Sequence, residues 1–135
     1  SSDVCSSDLA RLGRFRSEHD FAARLVRFRL SAAGAGLRPR AAVSPGWMQV
    51  THQEGGEAFA AVLNADGSLG PHRVLVACNP HDHAAALDLP RSAPWAEVAV
   101  SPSPGCPHAP GEAPRIEGGR VVLPSMGAGV WSAGG

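Results

Sequence analysis

The feature that most constrains the fold is a series of short apolar segments separated by turn residues, which begins after Arg40. No helical periodicity lies between these segments, and strands without intervening helices pair in antiparallel sheets. The predicted strands are Trp47–Thr51, Glu57–Leu63, Arg73–Cys78, Ala84–Leu89, Trp95–Val100, Arg120–Leu123 and Gly129–Ser132. The sequence therefore predicts a mainly β fold: an antiparallel β-sandwich of six to seven strands, over residues 41–135, preceded by one α-helix.

The sequence HDH at residues 81–83 raises the question of a metal or catalytic site. Asn79 and Pro80 directly before it favour a type I turn, because the asparagine amide caps the backbone and the proline ring fixes φ. Strands are predicted on both sides of this turn. We therefore predict a hairpin with both imidazoles at its tip in solvent, and no bound metal.

The three cysteines, Cys5, Cys78 and Cys106, have no CxxC spacing and an odd total, so the sequence encodes neither a disulfide framework nor a zinc ribbon. Cys106 and His108 are ligand types, but they lie in the proline-rich stretch Ser101–Pro114, a predicted surface loop, and their spacing is not diagnostic of a metal site. Reduced cysteines favour a cytoplasmic location.

A helix is predicted over residues 17–34, because Ser17 and Asp20 have the spacing of a capping box. Its apolar stripe consists of Phe21, Leu25 and Phe28. Arg24 and Arg27 lie off this stripe. A basic amphipathic helix can also lie on a membrane, but such helices usually have a wider apolar face.

The first residues differ from the rest of the chain. Residues 1–9, SSDVCSSDL, resemble translated sequencing-adapter DNA, and they have neither the charged start nor the apolar core of a signal peptide. We therefore expect residues 1–16 to be a non-native or disordered start.

Charge and composition exclude several classes of function. The net charge is +0, whereas a dedicated nucleic-acid binder normally has a basic surplus. No apolar run approaches the roughly 20 residues of a membrane span. No glycine-rich phosphate loop precedes a helix, and no serine lies in a GxSxG elbow. We expect no nucleic-acid partner, no membrane partner and no cofactor.

The three tryptophans, Trp47, Trp95 and Trp131, are the candidate site residues, because sugar rings stack on indole. Tryptophans near strand ends more often fill the core or the contact with a neighbouring domain. The sequence leaves sugar binding and a domain interface open for these residues.

The order of several segments carries a family resemblance: FRSEHDFAARLVRFR, GWMQV, EAFAAVLN, RVLVACNPHDHAAALDLP, WAEVAVSPSP and VVLPSMGAGVW. From about Arg14 onward the chain resembles the C-terminal region of an isoamylase-type debranching enzyme of glycoside hydrolase family 13. The first segment resembles the last helix of the catalytic (β/α)8 barrel, and the others resemble the β-sandwich packed on it. The sequence departs from the family pattern at Val100, where an aspartate is usual, and at Pro80, where a small residue is commoner.

The resemblance implies that the parent enzyme hydrolyses α-1,6 branches in glycogen or starch with two carboxylates, which retaining glycosidases place about 5 to 5.5 Å apart. In that family both belong to barrel strands that precede the last helix. We therefore expect no catalytic residue in this chain, and a catalytic barrel of the same polypeptide and the α-glucan substrate of the parent as its partners. The alternative is an independent β-sandwich module that binds carbohydrate or protein.

Overall fold

The computed structural model of the chain describes residues 2–39, 43–101 and 112–134, with side chains from residue 16 onward. The helix α1 spans Ser2–Leu30. Single-turn 3-10 helices lie at Ala35–Leu37 and Pro45–Trp47. The strands are β1 Met48–His52, β2 Phe59–Leu63, β3 Arg73–Cys78, β4 Ala85–Asp88, β5 Ala96–Val100, β6 Arg115–Glu117, β7 Arg120–Leu123 and β8 Ala128–Ala133. Most of the predicted loop Ser101–Pro114 lies outside the described residues.

The strands form two antiparallel sheets, so the predicted mainly β fold with a preceding helix is confirmed. One sheet has the order β1-β2-β3-β8-β5 and the other the order β4-β7-β6. The strand that the sequence analysis missed is β6, which is only 3 residues long and pairs with β7 across Gly118 and Gly119. Both glycines have positive φ, 57° and 79°, which suits a two-residue hairpin turn. This glycine pair was the available signal for the missed hairpin.

The core contains side chains from both sheets and is rich in small residues. Its buried members are Ala58, Ala60, Val62, Ala65, Leu75, Ala77, Ala85, Leu87, Val121, Leu123 and Trp131. The Trp131 indole packs over Gly129, two residues earlier in β8. A β-carbon at position 129 would lie only 2.4 Å from the ring. Alternate residues of a strand share one face, so only glycine at position 129 leaves room for the indole.

The helix differs from its predicted bounds. It begins at Ser2 and ends at Leu30, so the predicted bounds of residues 17–34 are wrong at both ends. Leu, Ala and Arg in residues 9–16 favour helix, and no proline interrupts them. The non-native origin of residues 1–9 stays a prediction. At the other end the Ser31 hydroxyl donates to the Phe28 carbonyl at 2.6 Å. This bond competes with the backbone amides of a further helical turn for the same carbonyl oxygen.

The predicted phase of the helix is confirmed. Phe21, Leu25 and Phe28 are half-buried, whereas Arg24 and Arg27 are exposed. The helix contacts β5, an edge strand of the five-stranded sheet. The sandwich therefore covers this stripe only in part.

The HDH segment does not lie in a hairpin, so that prediction is wrong. The strand before it, β3, is paired on both sides, with β2 and with β8. The strand after it, β4, therefore has no free edge of β3 to join, and it pairs with β7 in the other sheet. The predicted capping by Asn79 is confirmed, since its Oδ1 accepts a hydrogen bond from the His81 amide at 3.1 Å. The turn carries the chain from one sheet to the other.

Candidate functional site

The three candidate tryptophans lie in different environments. Trp131 is 3% exposed and belongs to the core, so its ring offers no face to a ligand. Trp95 is half-buried, packs against the core and donates from Nε1 to the Arg91 carbonyl at 3.2 Å. Trp47 is half-buried in the 3-10 turn before β1, and its carbonyl accepts from the Ala65 amide at 2.9 Å. Trp47 and Trp95 are thus connected, through Ala65 and Arg91, to one region of the surface.

Two arginines meet at that region. Arg73 Nε and Arg91 Nη1 donate to the same oxygen, the carbonyl of Ala65, at 3.2 and 2.7 Å. We call the group formed by Trp47, Ala65, Arg73, Arg91 and Trp95 the arginine–tryptophan cluster. Neither arginine was predicted from the sequence, because the two are far apart along the chain and form no motif. Only the arrangement of strands brings them together.

A buried asparagine holds the backbone at the centre of this cluster. Asn64 is 0% exposed and directly precedes Ala65. Its Nδ2 donates to the carbonyls of Gly70 and His72 at 3.0 and 2.7 Å, and its Oδ1 accepts from the Leu69 amide at 2.8 Å. The side chain therefore uses both of its donors and its acceptor to close the turn between β2 and β3.

The carboxylate of this turn, Asp66, is bonded to hydroxyl and amide groups and not to the arginines. It accepts from the Ser44 hydroxyl, and from the amide and hydroxyl of Ser68 at 3.1 and 2.8 Å. These bonds, that from Ser44 foremost, lower the pKa of Asp66 because they stabilise its charged form. A general acid for glycoside cleavage needs a raised pKa, which is the opposite direction.

The HDH turn is only partly the solvated tip that was expected. His83 is exposed as predicted, whereas His81 is half-buried and its Nε2 accepts from the Glu57 amide at 2.8 Å. The two imidazole rings are stacked, with centroids 5.1 Å apart. In the part of the chain that the structure describes, no group of three or more His, Cys, Asp or Glu side chains is placed to hold a metal ion. Cys106 and His108 lie outside that part.

Comparison of the chain with protein families, with curated proteins and with solved structures finds no match in any of the three. Over the described residues, none of the helices combines the length and the apolar character that crossing a membrane requires.

Proposed function

We propose that this chain is the non-catalytic C-terminal β-sandwich of an α-1,6-glucan debranching glycoside hydrolase of the isoamylase type. It supports the catalytic barrel of the same polypeptide in glycogen or starch breakdown, in the cytoplasm. The free thiol of Cys78 is consistent with that compartment. The proposal starts from the order of the segments that resemble this family, a helix followed by sandwich strands.

The partly covered helix is the observation that carries the proposal. The stripe of Phe21, Leu25 and Phe28 is half-buried against the sandwich, and Val26 and Leu30 are 59% and 66% exposed. A helix of a (β/α)8 barrel has neighbours on both sides, so its apolar residues would be covered by the barrel as well as by the sandwich. Exposed apolar side chains that lie together mark such contacts.

The chemistry of debranching would come from the barrel. Retaining glycosidases need a nucleophilic carboxylate and an acid with a raised pKa about 5 to 5.5 Å away. The resemblance assigns both groups to strands that precede the helix. The purified chain should therefore release no reducing ends from glycogen above the level of a heat-treated sample. Release that persisted after repurification would contradict the proposal.

The DNA upstream of the codon for Arg14 gives a sharper test. An open reading frame that encodes eight alternating strands and helices, with carboxylates at strand ends, is the expected result. The barrel domain expressed with this chain should debranch glycogen, and the same barrel without it should be less stable to heat. A reading frame with no barrel would leave the alternative, an independent binding module.

The alternative is favoured by one observation, the position of the half-buried Trp47 and Trp95 in the arginine–tryptophan cluster. A carbohydrate-binding module would be retarded in a gel that contains glycogen, and Trp47→Ala or Trp95→Ala would remove the retardation. His83→Ala, a substitution of an exposed residue in another turn, serves as the matched control. Equal mobility with and without glycogen would exclude glucan binding by the isolated chain.

A further inference from the structure

The two arginines of the arginine–tryptophan cluster are placed unusually close for groups of like charge. Arg73 begins β3 and Arg91 follows β4, yet a nitrogen of each lies within 3.2 Å of the Ala65 carbonyl oxygen. Both side chains are half-buried, where repulsion between like charges is screened less than in open solvent. One neutral carbonyl cannot neutralise two positive charges.

Other arginines of the sandwich have carboxylate partners. Arg115 Nε lies 2.8 Å from Glu117 Oε1, and Arg120 Nε lies 3.2 Å from Asp88 Oδ1. No carboxylate is within ion-pair distance of Arg73 or Arg91 among the described residues. Every aspartate and glutamate from residue 18 onward is at a described position. The unpaired charge is therefore a local property of this cluster.

The two guanidinium groups of the cluster also have N–H donors that are not used in hydrogen bonds within the cluster. Each guanidinium has five N–H groups, and one of them donates to the Ala65 carbonyl. Gly67, which has φ +72°, has no side chain beside Arg73 Nη2, and an added β-carbon would lie 3.5 Å from that nitrogen. Unused donors on two neighbouring cations point to an acceptor that is an anion.

We propose that Arg73 and Arg91 bind a phosphate group, either inorganic phosphate or a phosphate monoester. Such a group has a charge of about −1.5 to −2 at pH 7, which matches two guanidinium groups. Arginine binds phosphate oxygens through two parallel N–H donors, a geometry that lysine lacks. A carboxylate has half that charge and binds more weakly at the same site. The site is distinct from the proposed role of the chain beside a catalytic barrel and does not depend on it.

Titration of the intact chain with sodium phosphate at constant ionic strength tests the site directly. The Nε–H nuclear magnetic resonance signals of Arg73 and Arg91 should shift and saturate, whereas those of Arg115 and Arg120 should not. Glucose 6-phosphate is the second arm: tighter binding than inorganic phosphate indicates a sugar phosphate as the ligand, and equal binding indicates free phosphate. Sodium acetate should shift the same signals with at least tenfold weaker affinity.

Variants make the test independent of the assignment of signals. Arg73→Gln and Arg91→Gln should each weaken phosphate binding at least tenfold by calorimetry, and Arg120→Gln, the matched control, should leave it unchanged. Arg73→Lys keeps the charge, so it addresses the case in which a glutamine variant does not fold, and it should bind phosphate with intermediate affinity. The proposal is overturned if the wild-type signals of Arg73 and Arg91 do not saturate, or if Arg120→Gln weakens binding as much as Arg91→Gln.

Discussion

The turns that follow β2 and β3 begin with the same residue and use it differently. Asn64 and Asn79 are 0% and 1% exposed, and each donates two hydrogen bonds and accepts one. The partners of Asn64 all lie within 8 residues of it. Asn79 bonds the nearby His83 carbonyl, but also the carbonyl of Pro124, 45 residues away. A turn inside one sheet is closed locally, whereas a turn between sheets is held by a distant segment.

The backbone at the two positions differs as well. Asn64 has φ +58°, a left-handed conformation that asparagine tolerates better than other residues with a β-carbon. Asn79 does not have a positive φ. The Asn64 turn therefore depends on the hydrogen bonds of the asparagine side chain and on a left-handed backbone conformation. The Asn79 turn depends on the side-chain hydrogen bonds without that backbone requirement.

The largest expected effect is that of Asn64→Ala. The substitution leaves the Gly70 and His72 carbonyls and the Leu69 amide without the Asn64 side chain as a partner and forces alanine into the left-handed region. We expect a loss of about 3 kcal/mol in the free energy of unfolding, measured by urea denaturation. Asn64→Gly removes the same hydrogen bonds without the backbone strain, so it should be about 1 kcal/mol more stable than the alanine variant. Equal stability of the two variants would contradict a backbone contribution at this position.

Asn79→Ala should come second, with a loss of about 2 kcal/mol, because the His83 and Pro124 carbonyls lose their donor without any change in backbone strain. Here glycine should offer no recovery, since it adds only conformational freedom to the unfolded chain. Urea denaturation of Asn79→Gly beside Asn79→Ala checks this expectation. A glycine variant more stable than the alanine variant would remove the distinction between the two turns.

The smallest expected effect separates the turns by pH. The pKa of Asp66, in the Asn64 turn, is lowered by its bonds to Ser44 and Ser68. A depressed pKa in the folded state stabilises the protein above the ordinary value of about 4, and this contribution is lost as the pH falls through the lowered value. Acid should therefore speed amide hydrogen exchange at Gly67 relative to Asn79, after correction for intrinsic rates. In Asp66→Asn this difference between neutral and acid pH should disappear, and in Ser44→Ala it should shrink.

The strands were predictable because apolar segments bounded by turn residues are a local signal. The bounds of β3 and β7 agree with the sequence prediction at both ends, and the other predicted strands differ by at most two residues at either end. Asn79 and Pro80 likewise identified a turn. Which sheet the next strand joins was not predictable, because the answer depends on β8 occupying the second edge of β3. The same long-range arrangement places Arg73 beside Arg91.

Local helix signals were less reliable than strand signals. Ser17 and Asp20 have the spacing of a capping box, but in the structure both lie within a continuous helix, Ser17 half-buried and Asp20 exposed. Residues before a capping box must leave the helical conformation for the box to act, and nothing in residues 9–16 forces them to do so. The phase of the stripe was predictable nonetheless, because it depends only on the period of the helix.

The position of β8 has a consequence for the order in which this fold can form during synthesis. In the five-stranded sheet β8 lies between β3 and β5, and it is the only link between β5 and the hairpin of β2 and β3 among the described strands. The ribosome releases β8 after all of its partners, so until then β3 and β5 each expose an unpaired edge. Unpaired edges recruit strands from other chains. Nascent chains of this protein are therefore most exposed to mispairing just before β8 emerges, when a chaperone that covers strand edges would protect them most.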